Sequence, residues 1–194
     1  MSTYLKYNNH MILHPTDSSK YFYGIVEDTP TPSFDEVEIG YQTWMAKNLS
    51  IDDGQEGIVT QTVNYGQGNV VEYYYTWDAA VRVAASIQGW RLPSAAEWDT
   101  LSSTVGSTNT GTKLKSTYGW SSGNGTDNYG FAAFPAGYKD SSSFMAFGSF
   151  AIFWTATERS STSANNRYLD TGATISQYYD NKSKFFSVRL IRGN

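Results

Sequence analysis

The chain has 194 residues, which suits one domain with a short appendage and leaves little room for two full hydrophobic cores. Its 14 Lys and Arg against 18 Asp and Glu give a net charge of −4, so no basic field is present and we expect no nucleic-acid partner. The absence of Cys excludes disulfides, thiolate metal sites and cysteine nucleophiles.

The composition favours strands, loops and turns. Only 16% of residues are charged while 16% are aromatic, and the chain contains 15 Tyr and 17 Gly. Aromatic residues are enriched in strands and Gly in turns. No apolar run approaches the roughly 18 residues of a membrane span, and the first residues lack the pattern of a secretory signal, so we expect no membrane insertion and no signal peptide.

Residues 1–35 are predicted to form a separate β-rich arm. The arm ends in a Pro/Thr stretch at residues 29–33 that suits a linker. Three short strands can hardly bury a core of their own, so we expect the arm to dock on the main domain, residues 36–194, on a partner chain in a homo-oligomer, or on a larger particle. The predicted strands of the arm are residues 4–7, 11–13 and 21–26.

Two helices are predicted in the first half of the main domain. Residues 37–45 alternate as a strand or hairpin does. The apolar residues after Thr76 are spaced like one helical face that stops near Gly89. A second helix follows Ser94, a good N-cap, with Glu97 three residues later to complete a capping box.

No helix is predicted beyond Gly106. The segment that follows is rich in Gly, Ser and Asn and is expected to form long loops. Together these elements predict an α+β fold with two helices, a small antiparallel sheet and long loops that carry much of the surface chemistry. The strands expected late in the chain are residues 150–154, 166–169 and 185–191.

Seven sequence phrases occur in an order that resembles one known family. The resemblance is to the Fibrobacter succinogenes major paralogous domain, a family common in Bacteroidetes and Fibrobacteres, and it covers roughly residues 37–192. Seven phrases in the right order make the match far more specific than any one of them. The phrases are VEIGYQTWMAKNL (37–49), YTWDAA (75–80), GWRLPSAAEW (89–98), TKLK (112–115), NYGFAAFPAGY (128–138), FWTATE (153–158) and FSVRLIR (186–192).

The resemblance implies a C-type lectin-like fold, of the branch that includes the formylglycine-generating sulfatase-modifying enzymes. The helix after residues 91–93 would pack under a small twisted sheet, and the last strand, ending at Arg192, would return beside the first. The family is associated with cell-surface or secreted proteins, and some relatives in phages and gut bacteria bind ligands through surfaces diversified by retroelements. A virion tail or the cell surface is therefore the expected location.

Few residues suit catalysis. The only histidines, His10 and His14, lie in the arm, so histidine-assisted nucleophilic catalysis and a histidine metal site are not expected. The sulfatase-modifying relatives depend on a cysteine pair that this chain lacks, so their oxidase chemistry is not carried over. Asp127 and Glu158 leave a carboxylate-dependent, glycan-active enzyme as a less favoured alternative, and with Asn128 they offer ligands for a structural calcium ion. We otherwise expect no cofactor and no enzymatic activity.

The strongest functional signal is the polar and aromatic stretch 155–184. Of its 30 residues, 18 are Ser, Thr, Asn, Asp or Tyr, a mixture typical of adaptable binding surfaces. We predict a non-enzymatic adhesin or receptor-binding module that recognises a glycan or a cell-surface protein, with a structural virion or appendage subunit as the alternative. The candidate ligand-binding residues are Arg159, Ser161, Asn165, Asp170, Gln177, Tyr178, Tyr179 and Lys184.

Retroelement diversification of this surface is a narrower hypothesis. Adenine-directed mutation of AAC codons yields neither Gln nor Lys, so Gln177 and Lys184 would lie outside a varied set. Other residues in the family phrases are expected to pack rather than to bind. We assign the arginines Arg189 and Arg192 to bracing of the terminal strand, and to the core the tryptophans Trp44, Trp77, Trp90, Trp98 and Trp154.

Overall fold

The computed structural model describes the backbone of residues 4–7 and 10–13, and both backbone and side chains of residues 32–106 and 108–193. The chain divides into two units, Met1–Thr31 and Pro32–Asn194. In the first unit, β1 (Tyr4–Tyr7) and β2 (His10–Leu13) form an antiparallel hairpin, which confirms the first two predicted strands. The strand predicted at 21–26 and most of the predicted linker lie outside the described residues.

A four-stranded antiparallel sheet joins the first hairpin of the second unit to its last strand. β3 (Glu36–Ile39) and β4 (Gln42–Met45) form a hairpin whose turn places Gly40 at φ 65°, a conformation that glycine adopts without strain. β13 (Ile191–Arg192) pairs with β4 on one side and with β7 (Trp90–Arg91) on the other. The last strand thus lies beside the second strand rather than the first, because β3 pairs with one edge of β4 and leaves the other edge to β13.

A hairpin of two seven-residue strands leads into the first helix. β5 (Ile58–Asn64) and β6 (Asn69–Tyr75) pair in register along their whole length. Helix α1 (Trp77–Ser86) begins immediately afterwards, where the Thr76 side chain accepts a hydrogen bond from the Ala79 amide. The predicted helix is therefore confirmed, and Thr76 is its N-cap.

Helix α2 (Ala95–Val105) begins at the predicted capping box. The Ser94 hydroxyl accepts from the Glu97 amide at 3.2 Å, and the Glu97 carboxylate accepts from the Ser94 amide at 2.8 Å. The expectation that no helix follows is wrong, since Thr110–Leu114 form a short helix, α3. A tertiary contact stabilises this helix, since the Gly111 amide donates to the carbonyl of Ala173, which is distant in sequence, at 2.8 Å.

The carboxy-terminal half carries a small hairpin and a three-stranded antiparallel sheet. The sheet order is β10–β11–β12, which confirms the predicted strands at 150–154 and 166–169. The strand predicted at 185–191 is wrong over most of its length. Residues 185–187 make only isolated bridges to different partners, and regular pairing begins at Ile191. The strands are β8 (Tyr138–Lys139), β9 (Phe144–Met145), β10 (Ala151–Glu158), β11 (Ser163–Leu169) and β12 (Ile175–Asn181).

Two apolar clusters form the core of the second unit. One lies under α1 and includes Trp154 and Phe186, whose ring centroids are 4.4 Å apart. The other lies under α2, where Trp98 contacts both Phe131 and Phe153. The prediction that five tryptophans belong to the core is confirmed, since Trp44, Trp77, Trp90, Trp98 and Trp154 are all buried.

The described residues therefore form a mixed α+β structure of small antiparallel sheets and short helices, with long connecting loops. Within this part of the chain, each helix is too short or too polar to cross a bilayer.

Candidate functional site

The β10–β11–β12 sheet positions most of the predicted binding residues. β12 is an edge strand, and its register with β11 places Tyr179 opposite Asn165 and Gln177 opposite Arg167. Because successive strand residues point to opposite faces, Asn165, Gln177 and Tyr179 share one face of the sheet.

An arginine and two tyrosines form an exposed stack at this sheet edge. The guanidinium carbon of Arg159 lies 3.9 Å from the centroid of the Tyr179 ring. Tyr178 and Tyr179 are adjacent on β12, so their side chains leave the strand toward opposite faces. Their rings are nevertheless 5.1 Å apart and inclined by 15°, because both side chains lean over the outer edge of β12. Tyr178 is 57% and Tyr179 41% exposed, which leaves much of the stack open to a ligand. We call Arg159, Asn165, Gln177, Tyr178 and Tyr179 the edge surface.

The loop between β10 and β11 anchors the arginine end of the edge surface. The Arg159 amide donates to the Ser163 carbonyl at 3.0 Å, and the Ser160 hydroxyl accepts from the Ser163 amide at 3.1 Å. These bonds close a tight loop in which Ser161 is exposed. The predicted residues Arg159 and Ser161 therefore lie at the same end of the sheet.

A polar groove of about 600 Å³ continues from the edge surface toward helix α2. Gln177 belongs to both, because it lines the groove beside Ser102 and Ser176. Beneath it, the buried Arg167 donates to the Asp99 carboxylate at 2.6 Å and to the Ala95 carbonyl at 3.0 Å. Arg167 thus joins β11 to α2 and fixes the wall of the groove.

Two predicted binding residues lie away from the edge surface. Asp170 is in the turn between β11 and β12, where its carboxylate accepts from the Gly172 amide at 2.7 Å. This turn is at the opposite end of a seven-residue strand pair, about 20 Å from Ser161. Lys184 pairs with Asp180 at 2.6 Å, and Asp180 points to the face opposite Tyr179.

The carboxylates considered for catalysis or calcium have protein partners. Asp127 accepts from the Ala132 amide at 2.7 Å, and Glu158 lies 3.2 Å from the ammonium of Lys182. Among the described residues, no three His, Asp or Glu side chains are grouped as metal ligands would be. The side chains of His10 and His14 lie outside the described residues.

A second concave feature lies between the β5–β6 hairpin and the segment after β4. This cavity has a volume of about 510 Å³, within the range of small-molecule sites, and we call it the hairpin cavity. It shares no lining residue with the groove. Its walls include the apolar or aromatic residues Leu49, Tyr65, Val70, Val71, Tyr73, Tyr118 and Phe134.

A buried polar network lines part of the hairpin cavity. The Glu72 carboxylate accepts from the Tyr65 hydroxyl at 3.0 Å and from the Asn48 amide at 3.2 Å. The oxygen of the same Asn48 amide accepts from Nη2 of Arg189 at 2.8 Å. Burial and the adjacent Glu72 carboxylate raise the pKa of the Tyr65 hydroxyl above its usual range. Burial also lowers the pKa of Arg189, against the attraction of Glu72.

The prediction that Arg189 and Arg192 brace the terminal strand is confirmed, but Arg189 does more. It also donates to the carbonyls of Met45 and Phe131 and lines the hairpin cavity. Arg192 pairs with Glu36 of β3. Glu72 was not predicted as a site residue, although a carboxylate within a run of Val and Tyr is a signal visible in the sequence.

Comparison with known proteins places the chain in a family. Residues 37–192 match the model of the Fibrobacter succinogenes major domain, and the chain belongs to that family. No curated protein and no solved structure gives a significant match. The family predicted from the seven phrases is thus confirmed over the predicted residues.

Proposed function

We propose that the chain is a non-enzymatic binding module that recognises a glycan or a cell-surface protein through the edge surface. The observation that carries this proposal is the exposed stack of Arg159, Tyr179 and Tyr178. Tyrosine rings offer an apolar face for the C–H face of a sugar, or for an apolar side chain, and a hydroxyl for hydrogen bonding. The side chains of Asn165 and Gln177 beside them provide both donors and acceptors.

The charge around the stack supports a polar or acidic ligand. Among the described residues, Arg159 has no acidic partner, whereas Lys182, Lys184 and Arg167 are all paired. An exposed guanidinium held against an aromatic ring loses little conformational freedom when it binds. Arg159 is therefore the cation of this region most available to a carboxylate, a sulfate or a sugar hydroxyl.

The proposal also covers the type of fold, the role of the arm and the biological setting. We assign a C-type lectin-like arrangement to residues 36–194, supported by the pairing of β13 with β4 and by the packing of α2 against the core. Residues 1–35 form the arm that attaches or oligomerises the module. A phage tail or a bacterial surface is the setting in which such a module displays its ligand surface.

The test is binding of the full chain to a glycan array and to intact Bacteroidetes cells, with and without a chelator. The triple variant R159A/Q177A/Y179A should lose at least tenfold in binding with little change in melting temperature. Tyr41→Ala is the matched control, because Tyr41 is a fully exposed tyrosine in the β3–β4 turn, away from the edge surface. It should bind like the wild type.

Three outcomes would contradict the proposal. Binding by the triple variant at wild-type strength would remove the edge surface from recognition. Failure of the wild type to bind either target, together with concentration-dependent self-assembly, would favour the structural subunit. Loss of binding in chelator alone would assign recognition to a bound calcium ion instead of the stack.

A further inference from the structure

The hairpin cavity contains two buried, oppositely charged groups that do not touch each other. No ion pair among the described residues joins Glu72 to Arg189, and the Asn48 amide bridges them. Glu72 is 6% and Arg189 1% exposed. Burial of separated charges is costly, so a purely structural role would favour direct contact between them.

Both groups retain hydrogen-bonding capacity. A carboxylate offers about four lone-pair positions, and the two described donors to Glu72 use one on each oxygen. A guanidinium offers five N–H donors. Asn48 takes one from Nε and one from Nη2, and the carbonyls of Met45 and Phe131 take the two on Nη1. One Nη2 hydrogen of Arg189 therefore has no acceptor among the described residues.

The balance of charge selects the chemistry of an occupant. A charged ligand in contact with both groups would be attracted by one and repelled by the other, whereas a neutral group that both donates and accepts hydrogen bonds is favoured by both. A hydroxyl is such a group, since it donates one hydrogen bond and accepts two. Two neighbouring hydroxyls would meet the carboxylate and the guanidinium together.

The walls fit the rest of such a ligand. The rings of Tyr65 and Phe134 lie 4.7 Å apart, and the ring of Tyr118 is 5.1 Å from that of Phe134, so the aromatic wall is packed and rigid. Val70 and Val71 of β6 are 45% and 50% exposed. Aromatic and aliphatic walls with a few convergent polar groups are the usual composition of a small-molecule site.

We propose that the hairpin cavity binds a neutral, hydroxyl-rich ring of sugar size, with hydroxyls hydrogen-bonded to Glu72 and Arg189 and the ring face against the aromatic wall. This site is separate from the edge surface and does not rest on its function. It adds a small-molecule site to a module whose proposed surface meets a larger ligand.

The test uses the full chain and ligand-observed NMR with methyl glycosides of glucose, galactose, mannose and N-acetylglucosamine. At least one glycoside should bind the wild type. Val70 shares the face of β6 that carries Glu72, so Val70→Trp would fill the cavity from an exposed position outside the buried network, and should weaken binding at least tenfold. Val81→Trp is the matched control, because Val81 is a partly exposed valine on α1 outside the cavity, and should bind normally.

A second variant tests the polar network. Glu72→Gln keeps the size of the side chain but halves its acceptor oxygens, so it should weaken binding while near-ultraviolet circular dichroism shows a retained fold. The edge-surface variant R159A/Q177A/Y179A should bind the glycoside like the wild type, which separates this proposal from the first. Absence of binding to every glycoside, wild-type binding by V70W, or a preference for glucuronate or glucosamine over neutral rings would overturn the proposal.

Discussion

Arg167 of β11 and Asp99 of α2 form an ion pair in which the cation is buried and the anion is not. The two side chains are 4% and 65% exposed, with 2.6 Å between Nη2 and Oδ1. Removing either partner therefore leaves a different residual charge. Loss of Asp99 leaves a buried guanidinium, whereas loss of Arg167 leaves a carboxylate already in contact with water.

This asymmetry predicts that Asp99→Ala destabilises the protein more than Arg167→Met. An uncompensated buried charge costs about 3 kcal/mol or more, while replacing it with an apolar side chain of similar length is often nearly neutral. Urea unfolding of both variants and of the double variant checks this. Adding R167M to D99A should restore stability. Equal losses in the two single variants would contradict the electrostatic interpretation.

The Arg91–Glu97 pair predicts a specific dependence of stability on pH. The Arg91 guanidinium, 2.5 Å from Glu97, and hydrogen bonds from Ser94 lower the pKa of Glu97 to about 2, from an ordinary value of 4.5. A carboxyl whose pKa is lower in the folded state stabilises that state when ionised. This contribution is complete above pH 4.5 and is lost as the pH falls toward 2.

The measurement is the free energy of unfolding of wild type and Glu97→Gln between pH 7 and 2. Gln retains a capping-box side chain but does not titrate, so the difference between the proteins should be largest at neutral pH and shrink between pH 4.5 and 2. Other carboxylates titrate equally in both proteins and cancel in the comparison. A difference that stays constant with pH would show that ionisation of Glu97 adds no stability.

Local signals explain which parts of the fold could be predicted. The starts of α1 and α2 are determined by Thr76 and Ser94, whose capping bonds span only three residues. Capping is readable from sequence because donor and acceptor are neighbours along the chain. Helix α3 lacks such a signal, since its N-cap Asn109 makes no side-chain capping bond and Ala173 supplies the stabilising contact.

The candidate sites, like the fold, could be predicted only where the signal is local in sequence. Composition identified the stretch that contains the edge surface, but only strand register separates Tyr179 from Asp170 and Lys184. The hairpin cavity depends on Asn48, which is 24 residues from Glu72 and 141 from Arg189. Contacts at such separations leave no periodic pattern in a single sequence, so the network could not be predicted.

Lys115 is predicted to hold the β11–β12 turn in place. Its buried ammonium donates to the carbonyls of Asp170 at 3.0 Å and Gly172 at 2.7 Å, and lies 4.7 Å from the Trp120 ring. Lys115→Met should lower stability by about 1–3 kcal/mol, because it leaves both carbonyls without this donor.

Hydrogen exchange checks the location of the effect. In K115M, the amides of residues 170–174 should exchange faster than in the wild type, while those of α1 should change less. Lys113→Met is the control, because Lys113 makes one such bond, to the Val105 carbonyl, away from the turn. Equal acceleration of residues 170–174 in both variants would refute a specific role for Lys115.

Gly125 is predicted to be irreplaceable because backbone approaches backbone at that point. A Cβ on Gly125 would lie 2.0 Å from the Lys115 carbonyl oxygen, far inside van der Waals contact, and the Gly125 amide donates to the Ser116 carbonyl at 2.8 Å. Gly125→Ala should therefore lower the free energy of unfolding by about 3 kcal/mol or more.

Gly54→Ala separates this contact from the general effect of losing a glycine. Gly54 has φ 74° but open space around its Cβ position, so its replacement should cost only about 1 kcal/mol of backbone strain. Thermal and urea unfolding of the two variants provide the comparison, and equal stability would show that the chain around residue 115 shifts to accept the methyl group.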